Sequence, residues 1–307
     1  MRILITDDVH PCLISGFNIK GYFVEYSPAI TLNEVHDIIG SYDGIVVNTK
    51  VIMDKALIDK AIHLKCVARL GSGLDTLDTH YLNQKGIYYF NTPEANCQAV
   101  GEHALASFLA LARNILRADQ EVRNFSWHRE LNRGFELGSM CFGIIGCGHT
   151  GQAFIRLLKP FGCRIIVFDP NKVLSFEDDN VVIAKNMDEL LDCSVISLHV
   201  DLNSSTRHLI NQKFVEDMKR PFYLINTSRG AVVKIIDVEE GLQSGKILGA
   251  CLDVFENEKT STFSEAEHKL YTSLYSRKNV ILTPHIAGWT FESKLKIAQA
   301  VLSKWPT

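Results

Sequence analysis

Several absences bound what this 307-residue chain can be. No apolar run approaches the roughly 18 residues that a membrane-spanning helix needs, so no membrane partner is expected. No basic arm or acidic tail is present, and 32 Lys and Arg against 35 Asp and Glu leave a net charge of -3, unlike the basic footprint of a nucleic-acid binder. The eight cysteines include no C-x-x-C pair and no His/Cys cluster at zinc spacing, which argues against a disulfide framework or a metal site. Several lie inside apolar runs, where a thiol serves as a small core hydrophobe and a reducing compartment is implied. The N-terminus, MRILITDDVH, lacks the charged and apolar regions of a secretory signal, so a cytoplasmic location is expected.

What is present is enough apolar sequence, 46% of residues, for two domains with cores of their own. Short β-branched runs alternate with amphipathic stretches, the pattern of an α/β fold with parallel sheets covered on both faces. Strands are predicted at 2–6, 22–26, 44–47, 66–69 and 87–90, with helices at 31–40 and 54–63. Leu105, Phe108, Leu109, Ala112 and Leu116 repeat at helical spacing and predict one long helix over 99–125. A second strand series follows at 141–145, 164–168, 195–199, 222–226, 249–253 and 280–283. The polar stretch 256–279 is expected to be a loop, and the segment 291–302 a helix too short to found a domain.

Gly146-Cys147-Gly148-His149-Thr150-Gly151 matches G-x-G-x-x-G between a strand pattern and a helix pattern. In that setting Gly146 permits the tight turn, Gly148 lets backbone approach a pyrophosphate and Gly151 allows close helix packing. His149 is a spacer within the loop. Asp169 ends the next strand, where a carboxylate meets a ribose diol and repels a 2'-phosphate, so NAD is expected over NADP. Thr150, His199, Thr227, Ser228 and Gly288 are further residues expected at the cofactor.

Arg229, Glu258 and His285 each follow a predicted strand in the second half. Singly, each has a structural explanation: a turn Arg, a solvated Glu, a His after Pro. Together, downstream of a nucleotide fingerprint, they suit hydride transfer on a 2-hydroxy acid. His285 can take the hydroxyl proton, Glu258 can orient the imidazole and Arg229 can grip a carboxylate.

The strings Ile225-Asn-Thr-Ser-Arg-Gly230, Cys251-Leu-Asp-Val-Phe-Glu-Asn-Glu258 and Thr283-Pro-His-Ile-Ala-Gly288 resemble the signatures of the D-isomer-specific 2-hydroxyacid dehydrogenases. Arg69-Leu-Gly-Ser-Gly-Leu-Asp75 resembles that family's substrate loop, and 91–96 with 100–105 its interdomain crossover. The resemblance implies a catalytic trio of Arg229, Glu258 and His285, and an Asp253 that meets the nicotinamide carboxamide. It places Ser72, Gly73 and Asn96 at the substrate carboxylate. It implies a discontinuous substrate-binding domain, 1–97 with 286–307, around an NAD-binding domain at 98–285. It also implies a homodimer in which the helix at 99–125 takes part. Among family members, the Arg69 loop and the crossover are most like those acting on 3-phosphoglycerate, a step of serine biosynthesis. Asn48, however, stands where such members commonly carry Arg, leaving Lys50 and Arg69 as cations for a phosphate. Hydroxypyruvate, glyoxylate and 4-phosphoerythronate are the alternative substrate types, and a non-catalytic NAD-sensing corepressor is the alternative of a different class.

Overall fold

The computed structural model describes residues 1–171, 176 and 178–306, and every count below refers to them. The chain divides into two compact units, Met1–Cys97 with Gly288–Thr307, and Gln98–Ala287. The return to the first unit comes two residues later than expected. Ile286 and Ala287 stay with the second because both amides donate to the Asp253 carboxylate.

In the first unit β1 (Arg2–Ile5), β2 (Phe23–Tyr26), β3 (Gly44–Val47), β4 (Cys66–Arg69) and β5 (Tyr88–Asn91) form a parallel sheet in the order β2-β1-β3-β4-β5. Strands β3 and β4 are buried along their whole length, as continuous apolar runs must be when helices cover both faces. Those helices are α1 (Pro11–Ile19), α2 (Leu32–Ile38), α3 (Lys55–Lys60) and α4 (Thr79–Gln84). Thr31 and Asp54 cap α2 and α3 by accepting the amides of Glu34 and Leu57. Strand order reverses between β1 and β3, so the loops leaving them run apart and open a crevice at the strand ends.

Helix α5 (Pro93–Ala112) leads into the second unit and is followed by α6 (Ile115–Arg123). Then come β6 (Cys141–Ile145), α7 (His149–Leu158), β7 (Arg164–Phe168), β8 (Val181–Ile183), β9 (Val195–Leu198), α8 (Gln212–Asp217), β10 (Phe222–Asn226), α9 (Ile235–Ser244), β11 (Ile247–Leu252), α10 (Glu265–Ser276) and β12 (Val280–Leu282). The seven strands lie parallel as β12-β11-β10-β9-β6-β7-β8, reversing between β6 and β9. The last helix, α11 (Phe291–Lys304), belongs to the first unit and packs on α1. Trp305 beyond it wedges against Phe17 and against Gly44, where any Cβ would lie 2.5 Å from the indole. Among the described residues no helix is long and apolar enough to cross a membrane.

Three expectations are corrected. The single helix at 99–125 is two helices, because Asn114 adopts φ 54° and ends the first. The apolar face of α5 is not free for a partner: Ala104, Phe108, Leu111 and Ala112 are in the core, with Phe108 edge-on to Phe142 and Tyr223. Burying Phe108 contributes about 1.5–3 kcal/mol. The polar stretch 256–279 contains α10, started by a capping box in which Ser264 and Glu267 satisfy each other's amides. Its low hydrophobicity concealed it, since mainly Tyr271 and Leu274 reach the core.

Left-handed backbone at Asn114 costs a β-branched residue more than Asn. Asn114→Val is expected to lower stability by about 1–2 kcal/mol, while Asn114→Gly holds the urea midpoint. Equal midpoints for all three would show that this residue does not set the break.

Candidate active site

At the reversal point of the second sheet, Gly146 leaves β6 with φ 91°. A Cβ there would lie 2.4 Å from the carbonyl oxygen of His199, the residue following β9. At Gly151 a Cβ would lie 2.2 Å from the Gly146 carbonyl oxygen. Both positions therefore exclude side chains, and the loop lies flat between β9 and α7. Gly148 supplies no side-chain cap to α7, so the first amides of that helix are available to an anion. His149 is exposed and Thr150 half-buried beside it.

Asp169 stands just past β7, accepting the Cys147 amide at 2.8 Å on one oxygen and the Asn171 amide at 3.0 Å on the other. It thus ties the glycine loop to the neighbouring strand end. Two buried polar atoms nearby, His199 Nδ1 and Thr227 Oγ1, have no hydrogen-bond partner among the described residues. Unmet buried polar atoms are rare unless a ligand satisfies them, and with the glycine cradle they fit a bound dinucleotide. His199 Nε2 lies 2.9 Å from Ser197 Oγ, and complete burial pushes its pKa down to about 3. Ser228 donates through both amide and hydroxyl to the Asn226 side chain, which donates in turn to the Arg229 carbonyl.

His285 Nδ1 lies 2.9 Å from Glu258 Oε2. A carboxylate only accepts, so Nδ1 carries the proton in this contact and Nε2 is the ring nitrogen left for proton exchange. Burial alone would raise the Glu258 pKa; the hydrogen bond and charge of His285, the Phe255 amide and the charge of Arg229 outweigh it and leave the pKa below the usual value. Glu256, the competing carboxylate, is turned away to His208 Nε2 at 2.7 Å and the Ile235 amide at 2.8 Å. Lys259 uses its amide to reach Asn257 Oδ1 at 3.0 Å, a bond that Pro could not make. The loops carrying Arg229 and Glu258 touch backbone to backbone: a Cβ on Gly230 would lie 1.9 Å from the Phe255 carbonyl. Arg229 Nη1 donates to the Ser228 carbonyl at 2.8 Å.

Asp253, expected at the nicotinamide, is 1% exposed and commits most of its acceptor capacity to the turn bearing His285. Its oxygens accept the Thr283 hydroxyl at 2.6 Å and the amides of Ile286 and Ala287 at 2.9 and 2.8 Å. The Asp253 carbonyl also takes the His285 amide at 2.7 Å, which helps hold His285 at φ 56°. His103 Nε2 lies 3.0 Å from Thr283 Oγ1 and so joins this cluster. His103 and Gly230 lie inside the crossover and Arg229 motifs, and neither charge nor size signals these contacts in the sequence.

In the first unit the substrate-loop residues are held separately. Gly71 (φ 105°) exchanges hydrogen bonds with Thr92, and Asn91 Nδ2 donates to the Ser72 carbonyl at 2.5 Å. The amides of Ser72 and Gly73 make no hydrogen bond among the described residues. The Asn96 amide group lies against Gly288 and, farther off, Gly71. Arg69 is 6% exposed, and its guanidinium donates to the Leu70 carbonyl beneath the loop. Lys50 Nζ reaches the Pro28 carbonyl at 2.6 Å. The Asn48 amide donates at 3.0 Å to Asp7 Oδ2, placing a carboxylate at the β1/β3 reversal point.

A doubly wound sheet with a glycine cradle at its reversal point, and a His–Glu pair at neighbouring strand ends, defines a dinucleotide-dependent oxidoreductase. Residues 105–287 match the family described as D-isomer specific 2-hydroxyacid dehydrogenase, NAD binding domain, and the chain belongs to that family. It is 35% identical over 273 residues to a hydroxypyruvate reductase of Thermotoga maritima, covering 89% of this chain and 86% of that protein. It is 33% identical over 297 residues to a D-3-phosphoglycerate dehydrogenase of Methanocaldococcus jannaschii, covering 96% of this chain but only 55% of that protein's length. The structure of an Aquifex aeolicus D-lactate dehydrogenase with NAD and lactic acid superimposes with a TM-score of 0.84 at 28% identity, over 99% of this chain and 93% of that one.

The depressed pKa of His199 makes stability pH-dependent. An unfolded His titrates near 6.5 and the folded one near 3, so its contribution is full above about pH 6.5 and is lost as pH falls toward 3. Between pH 7 and 5 the urea-derived stability of His199→Gln is expected to fall by about 2 kcal/mol less than that of the parent. Parallel losses would show that His199 is not buried neutral.

Proposed function

We propose that this chain interconverts a small unphosphorylated 2-oxo acid, of the hydroxypyruvate or glyoxylate type, with its 2-hydroxy acid, using NADH and NAD. The observation that carries the proposal is the Asp7 carboxylate on the Asn48 amide. A phosphate needs charge-assisted donors, and this strand end offers an anion instead. The two cations expected to compensate, Lys50 and Arg69, are turned to the carbonyls of Pro28 and Leu70. The 3-phosphoglycerate reading favoured by the substrate loop and crossover thereby loses its phosphate partners. Similarity to a hydroxypyruvate reductase over most of both chains adds support.

In this assignment the dinucleotide supplies hydride when bound, held by the glycine loop, Asp169 and Thr227. His285 Nε2 delivers the proton to the carbonyl oxygen on reduction and withdraws it on oxidation. Glu258 fixes the ring, and Arg229 grips the substrate carboxylate.

Initial rates with NADH and with NADPH are the direct test. Higher kcat/KM is expected for hydroxypyruvate or glyoxylate than for 3-phosphohydroxypyruvate, with NADH preferred; preference for the phosphorylated acid would overturn the substrate assignment. His285→Ala is expected to lower kcat by about 10²–10⁴-fold with NADH binding retained.

We also propose a homodimer, formed through α6 and the segment after it rather than through α5. Ile115, Leu116, Val122, Trp127, Leu131 and Phe135 are all more than half exposed there, and Phe125 is 99% exposed. An apolar surface of this extent calls for a cover. Sedimentation at micromolar concentration should give the dimer mass, and a monomer would refute the proposal.

A further inference from the structure

Two cysteines of the nucleotide-binding unit meet away from the chemistry described above. Cys141 opens β6, and Cys193 lies in the turn just before β9; their sulfurs are 3.5 Å apart. Their surroundings hold them in place. Ser194 Oγ accepts the Cys141 amide at 2.9 Å and donates to the Cys141 carbonyl at 3.1 Å, while the Ser194 amide reaches that same carbonyl at 2.9 Å. The Cys193 amide is bound to the Leu190 carbonyl at 2.9 Å. Neither backbone segment is free to drift, so the sulfur contact is a built feature of the β6/β9 pairing.

The two thiols differ in access. Cys193 is buried among core side chains, whereas Cys141 is only partly buried at the strand's start, paired in register with Arg164 of β7. The S–H of Cys193 lowers the Cys141 pKa, against an opposing effect of burial and with help from the Arg164 charge. The same contact, together with burial, raises that of Cys193. An accessible thiol with a lowered pKa beside a buried second thiol is the arrangement of an attacking cysteine with its resolving partner.

We propose that Cys141 and Cys193 form a reversible disulfide on exposure to hydrogen peroxide, stapling β6 to the start of β9. The Cys141 thiolate attacks one peroxide oxygen, the O–O bond breaks and water leaves after protonation, giving a sulfenic acid. The Cys193 sulfur then attacks the Cys141 sulfur, the S–O bond breaks and a second water leaves. Two thiols are oxidised and one peroxide is reduced to two waters. Closure from 3.5 Å to bonding distance requires the sulfurs to approach by about 1.5 Å, within the reach of side-chain rotation. The staple spans 52 residues, including the glycine loop and Asp169, so it restricts the unfolded chain more than the folded one.

The test treats the folded full-length protein with a few equivalents of hydrogen peroxide at neutral pH, alkylates it, and maps peptides by mass spectrometry without reduction. The expected product is a Cys141–Cys193 linked peptide, lighter than the two free peptides by two hydrogens and restored by dithiothreitol. The unfolding temperature should rise by roughly 5 °C or more on oxidation. Cys141→Ser should abolish both effects, as should Cys193→Ala, while a Cys12→Ser/Cys97→Ser double variant retains them. Two alkylated thiols after treatment would overturn the proposal. So would Cys141 carrying added oxygen with Cys193 still free, because that outcome denies the resolving step.

Discussion

A carboxylate removed from water must be surrounded by donors, and in the second unit that requirement shapes the chemistry. Asp253 is almost wholly buried at the end of β11, and the donors that satisfy it are one hydroxyl and two amides of the turn after β12. Leaving them unmade would cost far more than a surface hydrogen bond, since a buried charge without partners is strongly destabilising. The turn therefore closes on Asp253, and His285 accepts a left-handed backbone within it. From there its ring reaches Glu258, with Nδ1 2.9 Å from the carboxylate. His103 supports the same cluster through Thr283.

Close backbone approach is the second constraint, and glycines permit it where charged side chains must converge. Gly230 lets the Arg229 loop rest on the Phe255 backbone, so that Arg229 and Glu258 lie within electrostatic reach. Gly146 and Gly151 do the same between the nucleotide loop, His199 and α7. Both sheets place their reversal point where loops part, and the two differ in what they put there. The second sheet offers helix amides suited to an anion, while the first offers Asp7. The two reversal points therefore differ in sign: donors in the second sheet, a carboxylate in the first.

Much of this was legible in the order of residues. Apolar runs such as Ile45-Val46-Val47 and Phe142-Gly143-Ile144-Ile145 announce buried parallel strands, because no other use of such runs leaves their backbone satisfied. The glycine loop, Asp169 and the trio stand at strand ends that can be counted along the chain. Helix α10 was not legible, because a helix held by a few core contacts and its caps looks polar. Neither was the break at Asn114, where the local pattern on both sides is helical and only the backbone turn differs.

The sequence by itself determined the family, the two parallel sheets and which residues can do acid–base and dinucleotide chemistry, because these follow from periodicity, residue type and local spacing. Tertiary structure decided the choices that depend on distant partners: that Glu258 and not Glu256 meets His285, that Asp253 serves the turn, and that Lys50 and Arg69 are turned to carbonyls. The reason is physical. A side chain's chemistry is carried by its own atoms, but its direction and protonation depend on neighbours that the chain brings together only on folding.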